Sequence, residues 1–119
     1  MGTFIAEVRI ANPASPEKAA ELKLLVDTGS AYTWVAASVL AELGVSPSTT
    51  RRIRTIQGHI VERPATEVLL TLDGQTLHTI CLFGQPGELE VLGAVTLEQF
   101  GLAVDPVQQR LFPAVQFGA

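Results

Sequence analysis

Turn-forming residues recur along this chain so often that the segments between them are short, and no long periodic helix has room to form. Ten glycines and seven prolines fall within 119 residues, and short apolar runs bounded by such residues favour a mostly-β domain. Phe4 to Ile10 alternates loosely and reads as a first strand. Asn12-Pro13-Ala14-Ser15-Pro16 interrupts it, and Ser15 before Pro16 is expected to cap a helical turn through Ala20. Leu22 to Val26 carries apolar residues on both faces, which predicts a central, buried strand. A short helix is predicted over Ala37 to Leu43, with Val39, Leu40 and Leu43 on one face and Gly44 as its stop. Arg51 to Gln57 and His59 to Leu72 read as strands with a bend near Gly58. Asp73-Gly74 is a two-residue hairpin signal leading into a strand over Thr76 to Phe83. After the loop Gln85 to Glu88, the pattern predicts a strand over Glu90 to Leu92 and a second helix over Thr96 to Phe100, ended by Gly101. Strands over Leu102 to Asp105 and Arg110 to Phe112 complete the chain. The succession of apolar strand, glycine turn, short helix and glycine stop occurs twice, ending at Leu43-Gly44-Val45 and at Phe100-Gly101-Leu102.

The length predicts a single domain over residues 1–119. A hydrophobic content of 47% is enough for a core without metal or disulfide staples. The single cysteine, Cys81, lies in the apolar run Thr79-Ile80-Cys81-Leu82-Phe83 and reads as a buried strand thiol, which fits a reducing compartment. A net charge of −4 argues against nucleic acid as a partner. The one basic cluster, Arg51-Arg52-Ile53-Arg54, lacks aromatic interleaving and reads as a solvated strand edge. No charged, apolar and small-residue succession marks a signal peptide, and no apolar run approaches the length of a membrane span. Met1-Gly2 begins like an acylation signal, but Ala6 stands where Ser or Thr is needed. A soluble, cytoplasmic protein without nucleic-acid or membrane partners is the expectation. His59 and His78 have no partners at metal-ligand spacing, no serine sits in a Gly-x-Ser-x-Gly context, and no glycine loop is built to cradle phosphate.

The chemistry concentrates in Leu24-Leu25-Val26-Asp27-Thr28-Gly29-Ser30. A carboxylate placed directly after an apolar strand is costly unless it is hydrogen-bonded or functional. Ser30 is a candidate donor to Asp27, and Gly29 permits close backbone approach while leaving its N–H to donate. The plain alternative is an Asx-type turn at a strand end. Asp73 belongs to its hairpin turn, Asp105 before Pro106 reads as a turn residue, and Trp34 reads as a core aromatic.

The stretch around Asp27 resembles the hydrophobic-hydrophobic-Asp-Thr-Gly-Ser segment of clan AA aspartic proteases, and Ser30-Ala31-Tyr32-Thr33-Trp34-Val35 is similar to its continuation in pepsin-like enzymes. About sixty residues on, Val91-Leu92-Gly93 followed by a helix matches the family's second signature. The run from Leu92 to Pro106 looks like the ending of small bacterial and archaeal members. The resemblance implies a retropepsin-like acid-protease fold: a closed β-barrel with one or two short helices, equivalent to one half of a pepsin-like bilobed unit. Its site would comprise catalytic Asp27, the loop residues Thr28, Gly29 and Ser30, and a psi-loop support of Val91, Leu92 and Gly93. A flap over the substrate is expected near Arg54 to Ile60, with Ile56, Gln57 and Gly58 at its tip. Thr55-Ile56-Gln57-Gly58 departs from the Ala-Asp/Asn-Gly turn common in small bacterial members. One Asp-Thr-Gly per chain implies a homodimer acting on peptide or unfolded-protein substrates. Two Asp27 carboxylates would share one proton, one taking a proton from water and the other protonating the peptide carbonyl. Neither metal nor organic cofactor is called for. The competing reading is a peptide-binding or dimerisation module of the same fold with little or no proteolysis.

Overall fold

The computed structural model describes residues 3–118; Met1-Gly2, the start of the acylation-like signal, lies outside the described residues. β1 (Ile5–Asn12) buries Ala6, Val8 and Ile10 and exposes the residues between them, the period-two pattern of a half-buried strand. The Asn12 side chain then accepts the Ala14 N–H at 2.8 Å, and the chain returns as β2 (Ser15–Val26), antiparallel to β1 from Asn12↔Ser15 to Ile5↔Leu25. The helical turn expected from Ser15 to Ala20 is therefore replaced by strand. A lone helical turn fixes several dihedrals for one hydrogen bond, whereas the hairpin pairs Ala19 to Leu25 with Ala11 to Ile5 and absorbs Pro16 to Lys18 as an irregularity where the register shifts between Ala11 and Asn12. Within β2, Leu24 and Val26 are buried and Lys23 is exposed.

Thr33–Ala36 forms β3, a strand absent from the sequence reading, and runs directly into α1 (Ala37–Glu42). Leu43 caps α1, the Gly44 N–H bonds to Ala41 O at 3.0 Å, and the Val45 N–H bonds to Leu40 O at 3.0 Å. That is the Schellman closure, with Gly44 at φ +75°. β4 (Thr49–Arg54) and β5 (Ile60–Leu72) form a hairpin, and β5 and β6 (Gln75–Gly84) form another. Asp73 and Gly74 between the latter pair both have positive φ, 53° and 81°, as a type I′ turn demands. The chain ends through β7 (Val91–Leu92), α2 (Ala94–Gln99), β8 (Leu102–Asp105) and β9 (Arg110–Pro113).

The main sheet has the order β1-β2-β7-β3-β6-β5-β4, and β1 also pairs with β5, so six strands close into a ring with β4 at its outer edge. Ile10, Leu24, Leu40, Leu70 and Leu92 fill the interior and are fully buried. Cys81 is buried on β6, and loss of hydration pushes its thiol up to about 12. Arg52 and Arg54 are exposed on β4, the edge strand. β8 and β9 form a separate ribbon. Its turn is held by Asp105, whose Oδ1 accepts the N–H groups of Val107 (3.0 Å) and Gln108 (3.1 Å). No helix among the described residues is long and apolar enough to cross a membrane.

Candidate active site

β7 threads between β2 and β3, parallel to the first and antiparallel to the second. This places the Asp27 loop directly against it. The Asp27 N–H donates to Leu92 O at 3.1 Å, and the Ala94 and Val95 N–H groups donate to Ser30 O and Ala31 O at 2.8 and 2.9 Å. Asp27 itself is half-buried at the end of β2. Its Oδ1 accepts the Gly29 N–H at 2.9 Å, and its carbonyl accepts the Ser30 N–H at 3.1 Å. The Ser30 hydroxyl donates to Tyr32 O at 2.8 Å, so it braces the loop instead of meeting the Asp27 carboxylate. The donation anticipated from Ser30 is thus made by the Gly29 backbone. Thr28 and Gly29 are exposed.

Behind this loop runs a buried chain of hydroxyls. Gly93 N–H donates to Thr33 Oγ1 at 3.1 Å, Thr33 and Thr96 hydroxyls lie 2.7 Å apart, and Thr96 and Thr79 hydroxyls lie 2.8 Å apart. Thr79 donates to Gln99 Oε1 at 2.6 Å. Because a carbonyl oxygen can only accept, the protons all run one way, from Gly93 through Thr33, Thr96 and Thr79 to Gln99. Every member is satisfied, the condition under which a buried polar network rigidifies its surroundings. The chain joins β3, α2 and β6 behind the Asp27 loop.

In front of the loop lies a cleft of about 760 Å³ lined by Asp27, Gly29, Trp34, Ile53, Gln57 and Val61, among others. The β4–β5 hairpin forms one side of it. Its turn is closed by Thr55 N–H to His59 O (2.7 Å) and Gly58 N–H to Thr55 O (2.9 Å), with Gly58 at φ +90°. Of the three residues expected at the flap tip, Gln57 lines the cleft, while Ile56 is wholly exposed at the turn and Gly58 has open space around it. Val91 also lines the cleft, and Leu92 and Gly93 are buried behind it.

Trp34 is half-buried and faces the cleft, so the core assignment expected for it is corrected. It alternates with buried Thr33 and Val35 on β3, and strand periodicity puts it on the other face. The Arg63 guanidinium sits 5.8 Å from the Trp34 ring centroid, within cation–π range. Arg63 is paired with Glu88: its Nε donates to Glu88 Oε1 at 3.0 Å, and its Nη2 donates to Oε2. The hydrogen bonds to Arg63 hold the Glu88 carboxyl below the usual carboxylate range, and the same bonds hold the Arg63 guanidinium above its ordinary value. Arg63 and Glu88 were missed in the sequence because no local rule links two residues on different segments. Only the alternation of Val61 and Arg63 on β5 hints that they share a face. His78 approaches Glu67 at 3.3 Å and His59 lines the cleft. Among the described residues no group of three or more His, Cys, Asp or Glu is placed to hold a metal ion.

A threaded β7, an Asp-Thr-Gly loop at the mouth of a cleft and a hairpin beside it define the class: an aspartic protease of retropepsin-like fold. The chain belongs to the aspartyl protease family, whose model matches residues 6–105. Its fold is similar to that of EIAV protease complexed with the inhibitor HBY-793, at 20% identity and TM-score 0.63 over 84% of this chain and 89% of that one. It is also similar to the solution structure of simian foamy virus (mac) protease, at 20% identity and TM-score 0.57 over 82% and 94%. No curated protein sequence matches the chain significantly.

Proposed function

We propose that the protein is an aspartic endopeptidase of the small bacterial or archaeal type, working as a homodimer in which each subunit supplies one Asp27. The observation that carries this reading is that Asp27 is the only aspartate lining the cleft among the described residues, while activating water by this chemistry takes two aspartic carboxylates. Placed about a two-fold axis, two copies of the loop complete the pair. Two like charges so close share one proton. The ionised carboxylate takes a proton from water as that water attacks the peptide carbonyl carbon, and the protonated one gives its proton to the carbonyl oxygen. The resulting gem-diol collapses with proton transfer to the amide nitrogen, and no covalent enzyme intermediate forms. Exposed Thr28 is available to reach the opposite loop, and the Gly29 N–H orients the Asp27 carboxylate. Val91, Leu92 and Gly93 buttress the loop, and the turn Ile56-Gln57-Gly58 acts as a flap over an extended peptide held by strand addition. The unit is residues 1–119, it needs no cofactor, and its setting is cytoplasmic.

The test is cleavage of an unfolded protein, with pepstatin as inhibitor, by wild type and by Asp27→Asn. The near-isosteric Asn variant is expected to fold, dimerise and lose hydrolysis altogether. Retention of near wild-type turnover would remove Asp27 from catalysis, and a wild type that binds peptide without cutting it would establish the binding-module reading instead.

A further inference from the structure

Beside the Asp27 loop the cleft carries a side-chain cluster that the proposed chemistry does not use. Trp34, the only tryptophan of the chain, is one member. Arg63 covers its ring, and the paired Nε and Nη2 donations to the Glu88 carboxylate hold the guanidinium plane in a two-pronged fork. Arg63 Nη1 makes a further bond to Glu62 O at 2.8 Å. Glu88 is anchored in turn: its Oε1 accepts the Gln85 N–H at 2.8 Å, and its own N–H donates to Gln85 O at 3.0 Å. Only 11% of the Arg63 side chain and 29% of the Glu88 side chain reach solvent, so this is not a mobile surface pair. Three separate segments meet here: β3 through Trp34, β5 through Arg63, and the 85–89 loop through Glu88. Leu89, next along that loop, is 70% exposed and lines the cleft.

An indole whose face is covered by an immobilised guanidinium cannot swing aside to enlarge a pocket. It therefore stands as a fixed, bulky wall; Val91, its partner on β7, is apolar, and Ile53, Val61 and Leu89 add apolar surface to a cleft that also carries Arg52, Arg54, Gln57 and His59. We propose that Trp34, clamped by the Arg63–Glu88 pair, is the specificity-determining wall of a subsite next to Asp27 and restricts that subsite to small apolar side chains such as Ala or Val. Trp34 sets the depth, and Arg63 and Glu88 are positioning residues that act through it. The inference rests on the proposed peptide hydrolysis.

The experiment uses a peptide panel in which Ala, Val, Leu, Phe or Trp is placed in turn at each position around the scissile bond. Wild type is expected to favour small over large residues by at least about tenfold in kcat/KM at one position, the size of discrimination a packed apolar pocket supplies. Trp34→Val reverses that preference at the same position alone. Glu88→Gln and Arg63→Lys, which break the fork while keeping polar groups, weaken the preference there without a matching loss on the small-residue peptides. These two variants decide the matter if Trp34→Val does not fold. In an Asp27→Asn background, the change in Trp34 fluorescence on adding the Ala, Val, Leu and Phe peptides reads their Kd, calorimetry reads that of the Trp peptide, and the same size ranking is expected. A preference for large residues at every position, or variants that scale all peptides by one factor, overturns the wall. Size-ranked binding without cleavage leaves the wall standing and removes the hydrolase reading. Cleavage of an unranked panel does the reverse, and a panel neither bound nor cleaved removes both.

Discussion

A β-carbon built on Gly93 lies 2.3 Å from the Tyr32 carbonyl oxygen and 2.9 Å from that of Ser30. Both neighbours are backbone of the Asp27 loop, so no rotamer change can relieve the contact. Gly93→Ala must push the loop and β7 apart, at a cost of about 3 kcal/mol or more, and a fall in Tm on the order of 10 °C is expected by calorimetry. Melting within about 2 °C of wild type would mean that the two segments are less tightly apposed than the distances imply. The sequence marked this glycine through its family resemblance and as the turn of the repeated strand, glycine, helix succession. The reason for it, a close approach between residues sixty positions apart, belongs to tertiary packing. Asp27 was more legible, since a carboxylate ending an apolar strand stands out locally. Its actual hydrogen-bond donor, the Gly29 backbone rather than the Ser30 hydroxyl, depends on loop conformation.

The end of the β4–β5 hairpin is held by its own hydrogen bonds and not by packing on the core. Beyond Arg54↔Ile60 the ladder gives way to a turn closed through Thr55, Gly58 and His59, which projects Ile56 wholly into solvent. A β-carbon added to Gly58 there would meet nothing within 4 Å, but the residue sits at φ +90°, so a side chain meets backbone strain and no collision. Gly58→Val is expected to strain the turn by roughly 1–3 kcal/mol and to lower peptide turnover far more than Tm, because the turn contributes nothing to the core. Equal losses in assays of activity and thermal unfolding would identify an ordinary structural turn. Element identity was readable where signals are local: the Asp73-Gly74 hairpin, both glycine-stopped helices and the β8 and β9 strands. It failed where pairing is non-local. β2 absorbed the turn expected after Ser15 because β1 pairs with it on both sides of a register shift, at Ser15 and again from Ala19 to Leu25, and β3 went unseen because its partners β6 and β7 come much later in the chain.

The chain presents one cleft aspartate among the described residues, exposed Thr28 and Gly29, and terminal segments that leave Ile5 53% and Phe112 36% exposed. In the proposed dimer the two active-site loops face each other across an isologous interface, so specific activity should fall on dilution below the dimer Kd. Co-refolding equal amounts of wild type and Asp27→Asn gives a sharper measurement. Random pairing leaves about a quarter of the dimers with two aspartates, and activity is expected to drop toward a quarter of an all-wild-type sample. A drop only to about half, with subunit exchange verified, would show that chains act independently and would end the shared-carboxylate mechanism. Strand-rich architecture and the aspartate loop follow from short-range pattern, and the proposed second copy follows from the family resemblance together with one Asp-Thr-Gly in 119 residues. The Trp34–Arg63–Glu88 cluster, the one-way threonine chain and the close seat of Gly93 come instead from three-dimensional packing. Each joins residues from different strands and loops, and no rule acting over a few neighbouring positions can pair groups that meet only when the sheet closes on itself.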